Sequence, residues 1–249
     1  MNSGRPPTDV IICSPVRTPV GRYGGVLADT PPQELAATVI RALMERTGLQ
    51  QDAIDDVILG QGYGNSEAPG IGRVAALDAG LPVTVPGSQV DRRCGSGLYA
   101  VLVGAMQVQT GGASVVIAGG VESMSQAEFY ATGLRFGHPS TRIELHDRLA
   151  RGRVTAGGAK YPIVGGMIET AENLRREFSI DREEQDALAL VSHQRAVAAQ
   201  EAGRFADELA FVPVRDRAGE TSLVDRDEHP RPDSTLEKLE RDILNSSNS

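Results

Sequence analysis

The apolar positions of residues 1–120 follow two alternating patterns. Short apolar runs, typical of buried strands, lie within 10–14, 56–61 and 114–118, and a further strand is predicted at 87–90. Apolar residues at i, i+4 and i+8 spacing, typical of helices, lie at 33–47, 71–79 and 96–109. This alternation predicts an α/β fold in which helices pack in layers against a mixed sheet.

The sequence pattern changes in the second half of the chain, which has loop-like stretches and glycine pairs at 157–158 and 165–166. Two helices and two short strands are predicted there, at 170–178, 179–203, 211–214 and 221–224. Ser179 is the expected N-cap of the second helix. We therefore divide the chain into an α/β domain at residues 1–120 and an inserted loop domain at residues 121–249.

The charge of the chain limits the kinds of partner that it is expected to bind. With a net charge of −8 and a pI near 5.1, the chain lacks the basic surface that nucleic acid or an anionic membrane requires. The N-terminal residues do not resemble a signal peptide, and no apolar stretch is long enough to span a bilayer. We therefore expect a cytoplasmic protein that binds neither nucleic acid nor membrane.

The chain has two cysteines, and their spacing predicts neither a disulfide framework nor a metal site. Cys13 lies within the first apolar run and is expected to be buried in the core. Cys94 lies where the predicted strand at 87–90 gives way to the helix at 96–109. Cys94 is therefore the candidate nucleophile.

A thiol at a helix N-terminus faces unpaired backbone N–H groups and the positive end of the helix dipole, and both favour the thiolate. Arg92 and Arg93 act in the same direction, whereas Asp91 opposes them, so the sequence leaves the sum of these charges open. Gly95 leaves room for a bulky substrate. The alternative interpretation of Cys94 is a small residue buried at a strand-to-helix corner.

Six motifs occur in one order along the chain: RTPVG at 17–21, DRRCGSG at 91–97, AGGVESMS at 118–125, TAEN at 170–173, SIDREEQD at 179–186 and GRF at 203–205. Together they resemble the thiolase family, which comprises acetyl-CoA acetyltransferases and 3-ketoacyl-CoA thiolases. The resemblance implies that residues 1–120 are the N-terminal half of a duplicated, layered thiolase fold. It also implies that residues 121–249 are the loop domain that holds coenzyme A.

The same resemblance implies an acyltransferase in which Cys94 accepts the acyl group as a thioester. Two molecules of acetyl-CoA would give acetoacetyl-CoA and CoA, or a 3-ketoacyl-CoA would undergo thiolysis. Coenzyme A thioesters are then substrates, and no cofactor is bound permanently. Met167 and Arg231 are the residues expected to contact coenzyme A, although an exposed loop arginine is an equal interpretation of Arg231. Gly166 departs from the family, since several bacterial members carry histidine there.

The family draws its base, a second cysteine and the histidine of a Gly-His-Pro motif from a C-terminal half that lies beyond this sequence. The Gly-His-Pro triplet at 137–139 is interpreted as a surface turn, because the residues after it differ from the family motif. An alternative function is therefore a truncated, catalytically incomplete fragment that binds coenzyme A or assembles with another chain. A ketoacyl synthase or lipid-transfer relative is a third possibility.

The helix at 96–109 is apolar around much of its circumference, which predicts a position at the centre of the domain. In a half-fold, such a helix would instead expose a large apolar patch. We therefore expect this chain to self-associate, as a dimer or a tetramer.

Overall fold

A parallel three-stranded sheet is the core of this computed structural model, which describes residues 9–137, 142–161, 165–215 and 218–246. The central strand β1 (Asp56–Gly60) pairs on one side with β2 (Gly87–Val90) and on the other with β3 (Val116–Gly120). After its first residue, Asp56, strand β1 is buried and apolar, as is usual for a central strand of a parallel sheet. The predicted α/β fold class is confirmed.

Three helices pack beside this sheet: α1 (Pro32–Thr47), α2 (Ile71–Asp78) and α3 (Ser96–Thr110). The main apolar cluster joins side chains of α1, β1 and α2, including Ile40, Val57 and Ile71. Helix α1 ends where the sequence predicts, at Gly48, whose left-handed φ of 64° lets its N–H donate to Met44 O at 3.0 Å.

The apolar run at 10–14 is not a strand, which corrects the prediction. Ile11 is 84% exposed, and Cys13 is exposed rather than buried in a core. Among the described residues, the first β-type pairing after this run is an isolated bridge at Arg17. Its N–H donates to Glu208 O and its carbonyl accepts the N–H of Ala210, each at 2.8 Å. A strand needs such a partner along its length, and residues 10–14 lack one here.

Helix α3 is only partly buried, so it does not lie at the centre of the domain but exposes the apolar patch that the sequence predicts for a half-fold. Its small residues Ala100 and Gly104 pack against the sheet, whereas Leu98, Leu102 and Met106 are 50–69% exposed. These three residues recur every four positions, so they form one apolar stripe on the outer face of the helix. The helix therefore packs its small residues against the sheet and leaves its large apolar side chains exposed.

The segment after residue 128 begins with a short antiparallel pair, β4 (Phe129–Tyr130) and β5 (His146–Asp147). Three helices follow, α4 (Arg148–Thr155), α5 (Met167–Glu177) and α6 (Arg182–Glu201). Asp181, not the predicted Ser179, caps α6, because its side chain accepts the N–H of Glu184 at 2.8 Å. Ser179 instead adopts a left-handed φ of 52° in the connection from α5.

The predicted strand pair near residue 215 is confirmed as a hairpin of β6 (Val212–Arg215) and β7 (Thr221–Val224). A second apolar cluster joins Val212 of this hairpin to Leu27 and Leu35. The described part of the chain ends with helix α7 (Leu236–Ser246).

The described residues separate into two compact units. One contains residues 9–128 together with 207–226, and the other contains residues 129–206 together with 227–246. The chain thus leaves the first unit and returns to it with the β6–β7 hairpin. Within the described ranges, no helix is both long and apolar enough to cross a membrane.

Candidate active site

The three parallel strands all end at one open pocket of about 470 Å³ in the first unit. Its walls come from the segments that follow each strand, and the lining residues are Gly60, Gln61, Gly62, Tyr63, Arg93, Cys94, Ser96, Gly97, Gly120, Val121, Glu122 and Met124. The crevice outside the carboxyl ends of parallel strands is the usual place for a ligand in an open α/β sheet. The pocket therefore lies where the fold favours a functional site.

Cys94 lines this pocket from the short connection between β2 and α3, called the Cys94 loop here and comprising residues 91–95. Its side chain is exposed, so the alternative of a buried corner residue does not describe this structure. The position just before the first turn of α3 gives it the helix N-terminal setting that the sequence predicts. Its role as nucleophile stays a prediction.

The Cys94 loop is held in place by Ser96, the buried first residue of α3. The Ser96 hydroxyl accepts the N–H of Arg92 at 2.7 Å and donates to Arg93 O at 2.6 Å. The Ser96 N–H donates to the same carbonyl at 3.0 Å. The side chain of Ser96, which follows Cys94, thus binds the backbone of the two residues that precede Cys94.

Glycines let the helix start approach the strand ends. A Cβ added to Gly60 would lie 2.5 Å from Ser96 O and 2.6 Å from Gly97 N. A Cβ on Gly120 would lie 3.2 Å from the Cα of Gly97. Because side chains at these positions would push α3 away, the position of Cys94 depends on bare backbone at the ends of β1 and β3.

Arg93 adopts a left-handed φ of 52°, which is uncommon for a residue with a side chain. Its N–H donates to the Asp91 carboxylate at 2.9 Å, and its Nη1 donates to Gly62 O at 2.6 Å. The guanidinium also lies 5.4 Å from the centre of the Tyr63 ring. These contacts tie the Cys94 loop to the segment that follows β1.

Glu122 faces the same segment from the end of β3. Its carboxylate accepts the N–H of Gly62 at 2.8 Å and the N–H of Tyr63 at 3.2 Å. Although the residue as a whole is exposed, burial of the carboxylate at the pocket wall raises the pKa of Glu122 above its ordinary value, and nearby Asp91 adds to this. The two backbone N–H groups and Arg93 oppose the increase in pKa.

Gln61 lies deeper in the pocket, where the side chain is 2% exposed. Among the described residues, its Oε1 atom has no hydrogen-bond partner, although the backbone N–H donates to Val90 O at 3.0 Å. A buried amide oxygen without a partner carries a free-energy cost.

The two predicted coenzyme A contacts lie in the second unit. Met167 begins α5 and is 70% exposed. Arg231 lies in the loop before α7, is exposed, and donates its backbone N–H to His193 Nδ1 at 3.2 Å. Their contacts with coenzyme A stay predictions.

The Gly-His-Pro triplet is described only at Gly137, which is exposed with a φ of 90°. His138 and Pro139 lie outside the described residues. No group of His, Cys, Asp and Glu suited to a metal ion occurs in the portion of the chain that the structure describes.

Comparison with known proteins decides the family. The sequence pattern described as "Thiolase, N-terminal domain" matches residues 10–242. The chain belongs to the thiolase family. It is 42% identical over 231 residues to an acetyl-CoA acetyltransferase of Pseudomonas aeruginosa, covering 93% of this chain. It is 40% identical over 234 residues, again 93% of this chain, to a beta-ketoadipyl-CoA thiolase of Pseudomonas putida.

The thiolase fold is shown independently by a solved structure. The crystal structure of the Bacillus anthracis acetyl-CoA acetyltransferase matches with a TM-score of 0.83 and 38% identity, covering 90% of this chain and 56% of that one. The chain spans 58% of the length of each of the two curated relatives. This thiolase sequence therefore corresponds to a little more than half of its relatives.

Sequence reasoning missed Glu122, Tyr63 and Ser96 as parts of this site. Glu122 and Ser96 lie within motifs that carry the family resemblance, so their position in those motifs was an available signal. Tyr63 had no such signal, because its link to the site is the ring contact with Arg93 and a backbone N–H. Contacts between segments distant in sequence have no local pattern.

Proposed function

We propose that this chain carries out the acyl-transfer step of a thiolase, with Cys94 as the acyl carrier. The observation that supports it is an exposed thiol at the start of α3, in a pocket at the ends of three parallel strands, in a chain of this family. A free thiol in that setting is suited to exchange with a thioester.

In the proposed step, the Cys94 sulfur attacks the carbonyl carbon of an acyl-CoA thioester. The bond from that carbon to the coenzyme A sulfur breaks, and an acyl-cysteine forms. The proton of the Cys94 thiol ends on the departing coenzyme A sulfur, so atoms and charge balance. The acyl group then passes to the carbanion that a second acetyl-CoA forms when a base takes its α-proton. In the reverse reaction, thiolysis, the Cys94 sulfur attacks the 3-keto carbon of a 3-ketoacyl-CoA. The bond between C2 and C3 breaks, acetyl-CoA leaves after its C2 takes up a proton, and the acyl group on Cys94 passes to the thiol of CoA.

The second half of the chain has the coenzyme A role in this proposal. Within residues 121–249, the second unit would form the loop domain, with Met167 and Arg231 among its contacts to the substrate, whereas residues 121–128 and 207–226 belong to the first unit. Coenzyme A thioesters are substrates here, and no permanently bound cofactor is invoked. Two free thiols suit a reducing cytoplasmic compartment, where this reaction would serve lipid metabolism.

The test is mass spectrometry of the 249-residue chain after incubation with acetyl-CoA. We expect an acetyl adduct on Cys94 and at least a tenfold lower yield on Cys13, which is an exposed thiol outside the pocket. The Cys94→Ser variant should lose the adduct on that peptide, while Cys13→Ser should keep it. Equal acetylation of the two cysteines, or none on Cys94, would reject the proposed function.

A catalytically incomplete fragment is the second candidate. Among the described residues that line the pocket, the titratable side chains are those of Tyr63, Arg93, Cys94 and Glu122. A histidine is not among them, whereas proton abstraction at carbon needs a positioned base. Acetylation of Cys94 without cleavage of acetoacetyl-CoA by the same chain would support this candidate, and cleavage would exclude it.

We also propose that the chain self-associates through the stripe of Leu98, Leu102 and Met106 on α3, since each of these side chains is at least half exposed. Burying an apolar stripe of this kind releases free energy in proportion to the area removed from water. Sedimentation should show a species larger than the monomer, and Leu102→Glu should shift it toward the monomer. A monodisperse monomer for the unmodified chain would contradict the proposal.

A further inference from the structure

Two charged side chains, on opposite sides, form hydrogen bonds to a short backbone segment at the rim of the pocket. Residues 62–63, called the rim segment here, follow the last residues of β1. Glu122 accepts both N–H groups of the rim segment, and Arg93 donates to its Gly62 carbonyl. Two charged side chains from different loops thus hold one partly buried piece of backbone by its donors and its acceptor.

These hydrogen bonds also affect the backbone next to Cys94. Arg93 is its immediate neighbour and has a left-handed backbone conformation, which costs free energy unless surrounding contacts hold it. Arg93 makes such contacts with the Asp91 carboxylate, the Gly62 carbonyl and the Tyr63 ring. The side chain of Arg93 therefore fixes the backbone that presents the thiol.

We propose that Glu122 and Arg93 act together as positioning residues for Cys94, by clamping the rim segment between the ends of β1 and β3. The effect on acyl transfer rests on the function proposed above, whereas the clamp itself is a property of the fold. Neither residue is assigned contact with the substrate, because each is committed to backbone groups of the rim segment.

The first test measures the initial rate of Cys94 acetylation by acetyl-CoA, divided by the rate at Cys13 in the same chain. Glu122→Gln removes one of two acceptor oxygens, and Arg93→Met removes the donors at similar length. Each is expected to lower the ratio about tenfold or more, since misplacing a reacting group by about 1 Å can cost 10²-fold. The double variant should be no slower than the slower single variant, because both break one clamp.

A matched control is available at Glu128. Its carboxylate accepts the N–H of Ser66 at 2.7 Å, which is the same kind of contact to a nearby loop, but neither residue lines the pocket. Glu128→Gln should leave the acetylation ratio unchanged. If Glu122→Gln behaves like Glu128→Gln, the positioning role is overturned.

A second test detects the clamp by amide hydrogen exchange, which does not depend on acyl transfer. In the unmodified chain, the N–H groups of Gly62 and Tyr63 should be protected, as should those of Gly95 and Ser96 in and beside the Cys94 loop. Glu122→Gln should reduce protection at all four. Loss of protection across β1 would instead indicate general unfolding and would count against a local clamp.

The pH profile separates a charge-dependent clamp from a merely structural contact. As the pH falls through the raised pKa of Glu122, the carboxylate takes up a proton and becomes a weaker acceptor, so protection at Gly62 and Tyr63 should fall. The charged groups that face it are Asp91 and Arg93, together with the titratable Cys94 and Tyr63 in the same pocket.

Glu122→Asp should keep the pH dependence and restore part of the rate, whereas Glu122→Gln should lose the pH dependence. If the unmodified chain shows no acetylation, the proposed function fails and the exchange data alone decide the clamp. Unchanged protection in Glu122→Gln would overturn it.

Discussion

Replacing Gly60 with alanine is expected to destabilise the first unit by about 3 kcal/mol, at the upper end of the range for overpacked sites. The added Cβ would lie 2.5 Å from Ser96 O and 2.6 Å from Gly97 N. Both are backbone atoms at the start of α3, so neither can rotate away as a side chain would. Either α3 moves off the sheet or β1 distorts, and both displace Cys94.

The change is measured as a lower midpoint of urea unfolding and a reduced ratio of Cys94 to Cys13 acetylation. Gly119→Ala is the matched control, because a Cβ at that neighbouring strand position meets nothing within 4 Å. In the control, both quantities should stay close to those of the unmodified chain. Equal midpoints for the two variants would show that the close approach at Gly60 does not constrain the site.

Ser96→Ala is expected to cost about 2 kcal/mol, the middle of the range for a buried polar group that loses its partner. The hydroxyl is the acceptor for Arg92 N–H and a donor to Arg93 O, and alanine supplies neither. The carbonyl keeps its bond from the Ser96 N–H, so most of the cost falls on Arg92. With the loop no longer closed, the acetylation ratio of Cys94 to Cys13 should fall as well.

Ser88→Ala makes the same chemical change at an exposed position of β2 and is expected to alter stability by no more than about 0.5 kcal/mol. Unfolding curves of both variants, recorded with the acetylation ratio, check the prediction. If Ser96→Ala unfolds like Ser88→Ala and keeps its acetylation ratio, the hydroxyl does not hold the Cys94 loop.

The sequence predicts the elements around the site well, and the helices among them carry a strong local signal. Strand β2 and the start of α3 lie where the pattern predicts, and α1 ends at its expected glycine. Apolar periodicity and the left-handed glycine after α1 fix the helix boundaries without reference to the rest of the fold. The setting of Cys94 at a strand-to-helix junction follows from them.

Properties that depend on a distant partner were predicted less well. The run at 10–14 has the composition of a buried strand, but composition cannot supply the neighbouring strand that would pair with it. The apolar circumference of α3 likewise indicates what the helix can bury, not what covers it. Glu122 was missed as part of the site because its partners are backbone groups of residues 62–63, about sixty positions earlier in the chain.

The discontinuous first unit has a consequence for synthesis on the ribosome. Residues 9–128 emerge first, but the hairpin that places Val212 against Leu27 and Leu35 follows only after the whole intervening segment 129–206. Until then, the nascent chain presents those leucines without their apolar neighbour. Early contact with a chaperone is therefore expected, since transiently exposed apolar surface promotes aggregation of partly folded chains.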